Sequence, residues 1–98
     1  MVLEVAEFTT TDPADFEAAM HELLPVIAAG NGYRGHTVER SVETPGRYFL
    51  IVKWDSIDAH QTFRDSDGFG VWRERTGPHR EGVRVEHTET VVSNSWSL

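Results

Sequence analysis

The stretch YRGHTVERSVETPGRYFLIVKW, Tyr33 to Trp54, decides the fold. Two β-rich runs, 33–44 and 47–54, flank the turn dipeptide Pro45-Gly46, which is the pattern of a β-hairpin. Successive strand side chains point to opposite faces, so Tyr48, Leu50, Val52 and Trp54 share one side of the second arm. Phe49 and Ile51 fall on the other. A strand that is apolar on both sides needs cover on both.

The segments on either side supply one layer of that cover. Residues 2–9, VLEVAEFT, read as a short strand. The segment TTDPADFEAAMHELLPVIAAGNG then opens with helix-start chemistry. Thr11 or Asp12 can cap, Pro13 suits the first turn, and Asp15 and Glu17 complement the positive end of the helix dipole. Phe16, Met20, Leu23, Leu24 and Ile27 recur on one face at helical spacing. Pro25 is expected to kink this helix or loosen its last turn, and Gly30 and Gly32 end it.

After the hairpin a second helical region runs from Ser56 to about Thr76, with Ser56 as its cap and a break at Asp65-Ser66-Asp67-Gly68. A loop, TGPHREG, leads to a last strand over Val83–Val92, in which Val83, Val85, His87 and Val91 share a face. The order is βαββαβ without repeats, which gives an α+β ferredoxin-like sandwich with a four-stranded antiparallel sheet. Residues 1–92 form a single domain and 93–98 a C-terminal tail, loose unless Trp96 docks. The helices cover one sheet face, and a second copy of the chain is the expected cover for the other.

With 98 residues, 39% hydrophobic and 26% charged, the chain has the composition of an ordinary globular protein. A formal charge of −7 argues against nucleic acid and anionic membranes as partners. The absence of cysteine excludes disulfides, thiolate metal sites and cysteine nucleophiles. No charged n-region precedes an apolar run and no long apolar stretch occurs, so a cytoplasmic location is expected. Neither a Walker motif nor a dinucleotide glycine motif is present, and Ser56 lacks a G-x-S-x-G setting.

Three segments, GYRGHTVERSVETPGRYFLIVKWDSIDAH, FRDSDGFGVWR and VRVEH, resemble the antibiotic biosynthesis monooxygenase family over nearly residues 1–92. The resemblance implies a dimeric α+β barrel, built where the sheets of two chains meet, with a cavity in each chain between sheet and helices. It implies oxidation of phenolic or quinol-type, polyketide-like aromatics by O₂ with no flavin, metal or other cofactor. The alternative is a homodimer of the same fold that binds a small ligand or serves as structure without turnover. One branch of the family degrades haem, using an asparagine on the first strand, a tryptophan on the second helix and a histidine ten residues later. Here those places hold Glu7 or Phe8, Phe63 and Arg73, so haem degradation is not expected.

Cofactor-free oxygenation requires that the substrate become an electron-rich anion inside a dry, shaped pocket. A histidine near neutral pKa suits that proton transfer. His60 lies on the apolar face of the second helical region between Ile57 and Phe63, and is the leading catalytic candidate. The competing reading is a core histidine bonded to a backbone carbonyl. His87 and His36 are further pocket candidates on strands, while His21 and His79 read as solvated. Phe63, Phe69 and Trp72 form a stripe that serves either as core or as a substrate wall. Arg73 and Arg64 suit a substrate oxyanion or surface acids. Histidines on separate elements can bind zinc or iron, but no pair here has i, i+4 spacing, and no metal is expected.

Overall fold

A computed structural model describes residues 1–77 and 81–94. His79 and Trp96 lie outside the described residues. The elements are β1 (Val2–Thr9), α1 (Pro13–Ala28), β2 (Tyr33–Arg40), β3 (Arg47–Trp54), α2 (Ile57–Arg64), α3 (Asp67–Thr76) and β4 (Glu81–Thr88). The four strands form one antiparallel sheet in the order β2-β3-β1-β4, the ferredoxin-like arrangement, with the helices on one face.

The core follows the alternation of β3, where Tyr48, Leu50, Val52 and Trp54 are all buried. β1 lies beside it and contributes Glu4, Ala6 and Phe8 to the same face. α1 closes over this surface with Phe16, Ala19, Met20, Leu23 and Ile27. Asp12 caps it by accepting the Asp15 N–H at 3.2 Å, and Pro13 opens its first turn. Pro25 is accommodated inside a helix that runs on to Ala28. It sits one turn from the end, so its missing N–H costs one hydrogen bond, and the chain then tightens through Gly30 N–H to Ile27 O at 2.9 Å.

The break between α2 and α3 falls where Asp65-Ser66 places it. Ser66 accepts the Phe69 N–H as the cap of α3 and donates its hydroxyl to the Phe63 carbonyl at the end of α2. Ser56 caps α2 by accepting the Ala59 N–H.

The last strand differs from its expected range. It spans Glu81–Thr88, and Val91 and Val92 are 90% and 86% exposed. The reason lies in β1, whose pairing with β4 ends at Leu3 opposite Thr88. Beyond that point this chain offers little strand edge for residues 89–92. Val91 therefore does not share the face of Val83, Val85 and His87.

The opposite sheet face carries a central apolar strip of Leu3, Val5, Phe49 and Ile51, all half-buried in the single chain. Glu7 and Arg47 flank it as an ion pair at 2.6 Å. Among the described residues no helix is long and apolar enough to cross a membrane.

Candidate active site

Strand register and helix caps bring four side chains together on the helix-covered face. Glu4 of β1 lies opposite Val52 of β3 and His87 of β4. Trp54, at the end of β3, donates its indole Nε1–H to Glu4 Oε1 at 3.0 Å. His60 of α2 lies on the indole with its ring 18° from parallel and centroids 5.5 Å apart. Its Nε2 is 3.1 Å from the same Oε1, and its Nδ1 is 2.7 Å from His87 Nε2.

Glu4 and His60 are only 8% and 3% exposed. Burial disfavours the charged form of each. It raises the Glu4 pKa, against the lowering effects of the Trp54 N–H and the Arg64 charge. It pushes the His60 pKa down to about 4, with the charges of His87 and Arg64 acting in the same direction. His60 is therefore a neutral imidazole at neutral pH. The bonds then fit one tautomer: His60 Nε2–H donates to Glu4, and His60 Nδ1 accepts from His87 Nε2–H. A buried carboxylate, a buried imidazole and a half-buried imidazole thus form one hydrogen-bonded chain.

Glu4 and His60 of this chain line a cleft of about 460 Å³ between the β1–β4 half of the sheet and the two short helices. Glu4, Ala6, Phe8, Val83 and Val85 come from the sheet; His60 and Arg64 come from α2; Phe69, Trp72 and Arg73 come from α3. The guanidinium of Arg73 lies 5.0 Å from the Phe69 ring centroid. Arg34, Arg40, Arg47 and Arg75 are each paired with a carboxylate, whereas Arg64 and Arg73 pair with none among the described residues.

Of the residues singled out by sequence, His60, Trp72, Phe69 and Arg73 line this cleft, and His87 joins it through His60. Phe63 sits behind the wall, buried against Trp54 and Phe69 with ring centroids at 5.5 and 5.7 Å. His36 stands on β2, opposite Val52, with its Nδ1 2.5 Å from the Tyr33 hydroxyl. It is not among the cleft-lining residues.

Sequence reasoning missed Glu4. The signal was present, because VLEVAEF alternates and sets Glu4 on the same face as Ala6 and Phe8. A carboxylate on the core face of a strand is the anomaly that marks a site. Trp54 follows the alternation of β3 onto the core face, and its indole N–H proves to be a donor to that carboxylate.

Two histidines and a carboxylate suggest a metal triad, but the geometry opposes one. The two His60 nitrogens face different partners, so a single ion cannot take Glu4, His60 and His87 as they stand. Among the described residues no group is arranged to hold a metal ion. A second cleft, of about 440 Å³ between α1 and β2, includes His21, Glu17 and Tyr48. It holds two carboxylates, Glu17 and Glu39, and Glu17 Oε2 accepts from the Tyr48 hydroxyl and from Arg40.

Comparison with known proteins places the chain in a family. The family model for antibiotic biosynthesis monooxygenase matches residues 1–75. A Bordetella bronchiseptica protein named after the same family is 34% identical, with a TM-score of 0.87 over 93% of this chain and 97% of that one. A mutant form of SnoaB of Streptomyces nogalater, described as a cofactor-independent oxygenase, is 21% identical. Its TM-score is 0.87 over 97% of both chains, a likeness of fold. The uncharacterized protein YczJ of Bacillus subtilis (strain 168) is 30% identical over 60 residues, which span 60% of this chain and 63% of that relative. The chain belongs to the antibiotic biosynthesis monooxygenase family.

Proposed function

We propose that the protein is a cofactor-independent monooxygenase that oxidises a phenolic or quinol-type aromatic with O₂. The observation that carries this reading is the buried Glu4–His60 pair, hydrogen-bonded on to His87, in an aromatic-walled cleft. At about 460 Å³ the cleft is of the size that holds a small multi-ring aromatic. Family membership and the fold shared with SnoaB support the same reaction type.

The steps follow from that arrangement. The substrate loses a proton to the buried chain and becomes an anion. Arg64 and Arg73 stand at the cleft to stabilise the negative charge. The anion gives one electron to O₂, the two radicals combine to a peroxide, and loss of water leaves a quinone. Overall, substrate and O₂ become quinone and water, so the electrons balance without a bound redox group. Trp72 and Phe69 form the walls, and Phe63 backs them. His36, held by Tyr33, has no part in this cleft.

The protein acts in this reading as a homodimer, with the strip of Leu3, Val5, Phe49 and Ile51 covered by a second copy. Thr37 Oγ1 and Arg47 Nε support such cover, since both are buried on this side of the sheet without a hydrogen-bond partner.

Oxygen uptake with a panel of anthrones, naphthols and hydroquinones tests the reading. One O₂ consumed per quinone formed, unaffected by a chelator and lost in His60→Ala, is the expected result. Panel compounds that bind without any uptake would establish a ligand-binding protein instead.

A further inference from the structure

We propose that Glu4 is the group that takes the substrate's proton, and that His60 and His87 connect it to solvent. The inference rests on the oxygenase reading for its substrate, and its test separates the two.

The geometry excludes His60 as the direct acceptor. Nε2 is held at 3.1 Å by Glu4 and Nδ1 at 2.7 Å by His87, so neither ring nitrogen is open to a ligand. Glu4 is different. Both of its bonds, from Trp54 and from His60, fall on Oε1. No donor reaches Oε2 among the described residues, and Glu4 lines the cleft. The carboxylate is thus anchored by one oxygen, with the other available to a bound molecule.

The donors also set its strength. Burial makes Glu4 a stronger base than an exposed carboxylate, and the Trp54 N–H and the Arg64 charge oppose that rise. The groups facing it are Trp54 from β3, His60 and Arg64 from α2, His87 from β4 and Arg73 from α3. At rest His87 Nε2–H donates to His60 Nδ1, His60 Nε2–H donates to Glu4, and His87 Nδ1 bears a lone pair. Once Glu4 holds the substrate's proton, outward transfer requires both imidazoles to change tautomer, each Nε2–H giving way to an Nδ1–H. Glu4 O–H then donates to His60 Nε2, His60 Nδ1–H to His87 Nε2, and His87 carries the Nδ1–H. Release of that proton to water restores the resting pattern. His87 suits the outlet, because it is half-buried on β4, at the edge of the sheet. A substrate that fills the cleft shuts water away from Glu4 but leaves this path open.

Glu4→Gln keeps an acceptor for both Trp54 and His60 and removes the basicity. The test is anaerobic exchange of the benzylic C–H of anthrone for deuterium in D₂O, which needs no oxygen chemistry. The wild type should exchange at least about 100-fold faster than Glu4→Gln. Binding of the product-like anthraquinone should change by less than about threefold. His60→Phe, which removes a donor from the Glu4 carboxylate and breaks the path to His87, should slow exchange and move the acid limb of what remains to higher pH. A residue that only packs would leave that limb in place. Exchange in Glu4→Gln at the wild-type rate overturns the proposal, as does a wild type with no exchange above the solvent rate. Exchange without oxygen uptake would leave Glu4 as the acceptor and remove the oxygenase reading.

Discussion

Glu4→Gln should also change how stability depends on pH, and the structure gives the sign. The folded state raises the Glu4 pKa, so this group costs stability above its ordinary value of 4.5, and the cost develops as pH rises through the raised pKa. His60 has the opposite slope. Its pKa falls from 6.5 to about 4 on folding, so its contribution is fully present above 6.5 and is lost as pH falls toward 4. In the wild type the two oppose each other, because the folded protein can hold on Glu4 a proton that the unfolded chain holds on His60. Glu4→Gln leaves the His60 slope alone. At 1.36 kcal/mol per pH unit its upper bound is about 3 kcal/mol, and screening from the cleft side brings the expected value to about 2 kcal/mol. Urea denaturation of Glu4→Gln and of the Glu4→Gln/His60→Gln double variant, from about pH 8 to about pH 4.5, isolates it. The single variant should lose about 2 kcal/mol relative to the double one over that range. Parallel curves would refute the buried, neutral imidazole. At neutral pH Glu4→Gln should exceed the wild type by about 1 kcal/mol, since it removes a buried charge and keeps the acceptor.

Two further outcomes concern the scaffold. Gly46 has φ of +80°, and a Cβ there would run into the Thr10 carbonyl oxygen. Gly46→Ala should therefore cost about 2 kcal/mol and lower the melting temperature by about 10 °C, read by thermal circular dichroism. Ile51→Glu puts a charge in the middle of the outer sheet strip, opposite Val5 and Thr37. It should convert a dimer to a monomer in sedimentation equilibrium, and an unchanged mass would remove that face as the interface.

The fold was legible because its signals were local and agreed with one another. Alternation in β3, the Asp12-Pro13 start of α1 and the Ser66 break between α2 and α3 each act over a few residues. The end of β4 was not legible, because it is set by where β1 runs out of residues to pair, a distant constraint. The site divided the same way. His60 was visible as a polar residue on an apolar helix face, and its position gave no hint of what its two nitrogens would meet. That depended on β1 and β4 lying side by side, which brings Glu4 and His87 under one ring. Phe63 and Phe69 share a stripe in sequence, yet only Phe69 reaches the cleft, since Phe63 turns toward Trp54.

The two halves of the helix layer carry different burdens. Over β3, α1 sets Phe16 against Tyr48, with Leu23 and Ile27 fully packed beside them, so this half supplies the stability. Over β1 and β4, the short helices leave a cleft and place Glu4 and His60 where apolar residues would be more favourable. A packing role does not account for that choice, because a carboxylate and an imidazole that both shift toward their neutral forms weaken the core that holds them. The proton transfer proposed for this site does account for it. Burial raises the basicity of Glu4, Trp54 fixes one of its oxygens, and the imidazole chain lets a closed site exchange protons with solvent. The expected gain in stability on Glu4→Gln and the expected loss of proton transfer are two consequences of the same buried charge.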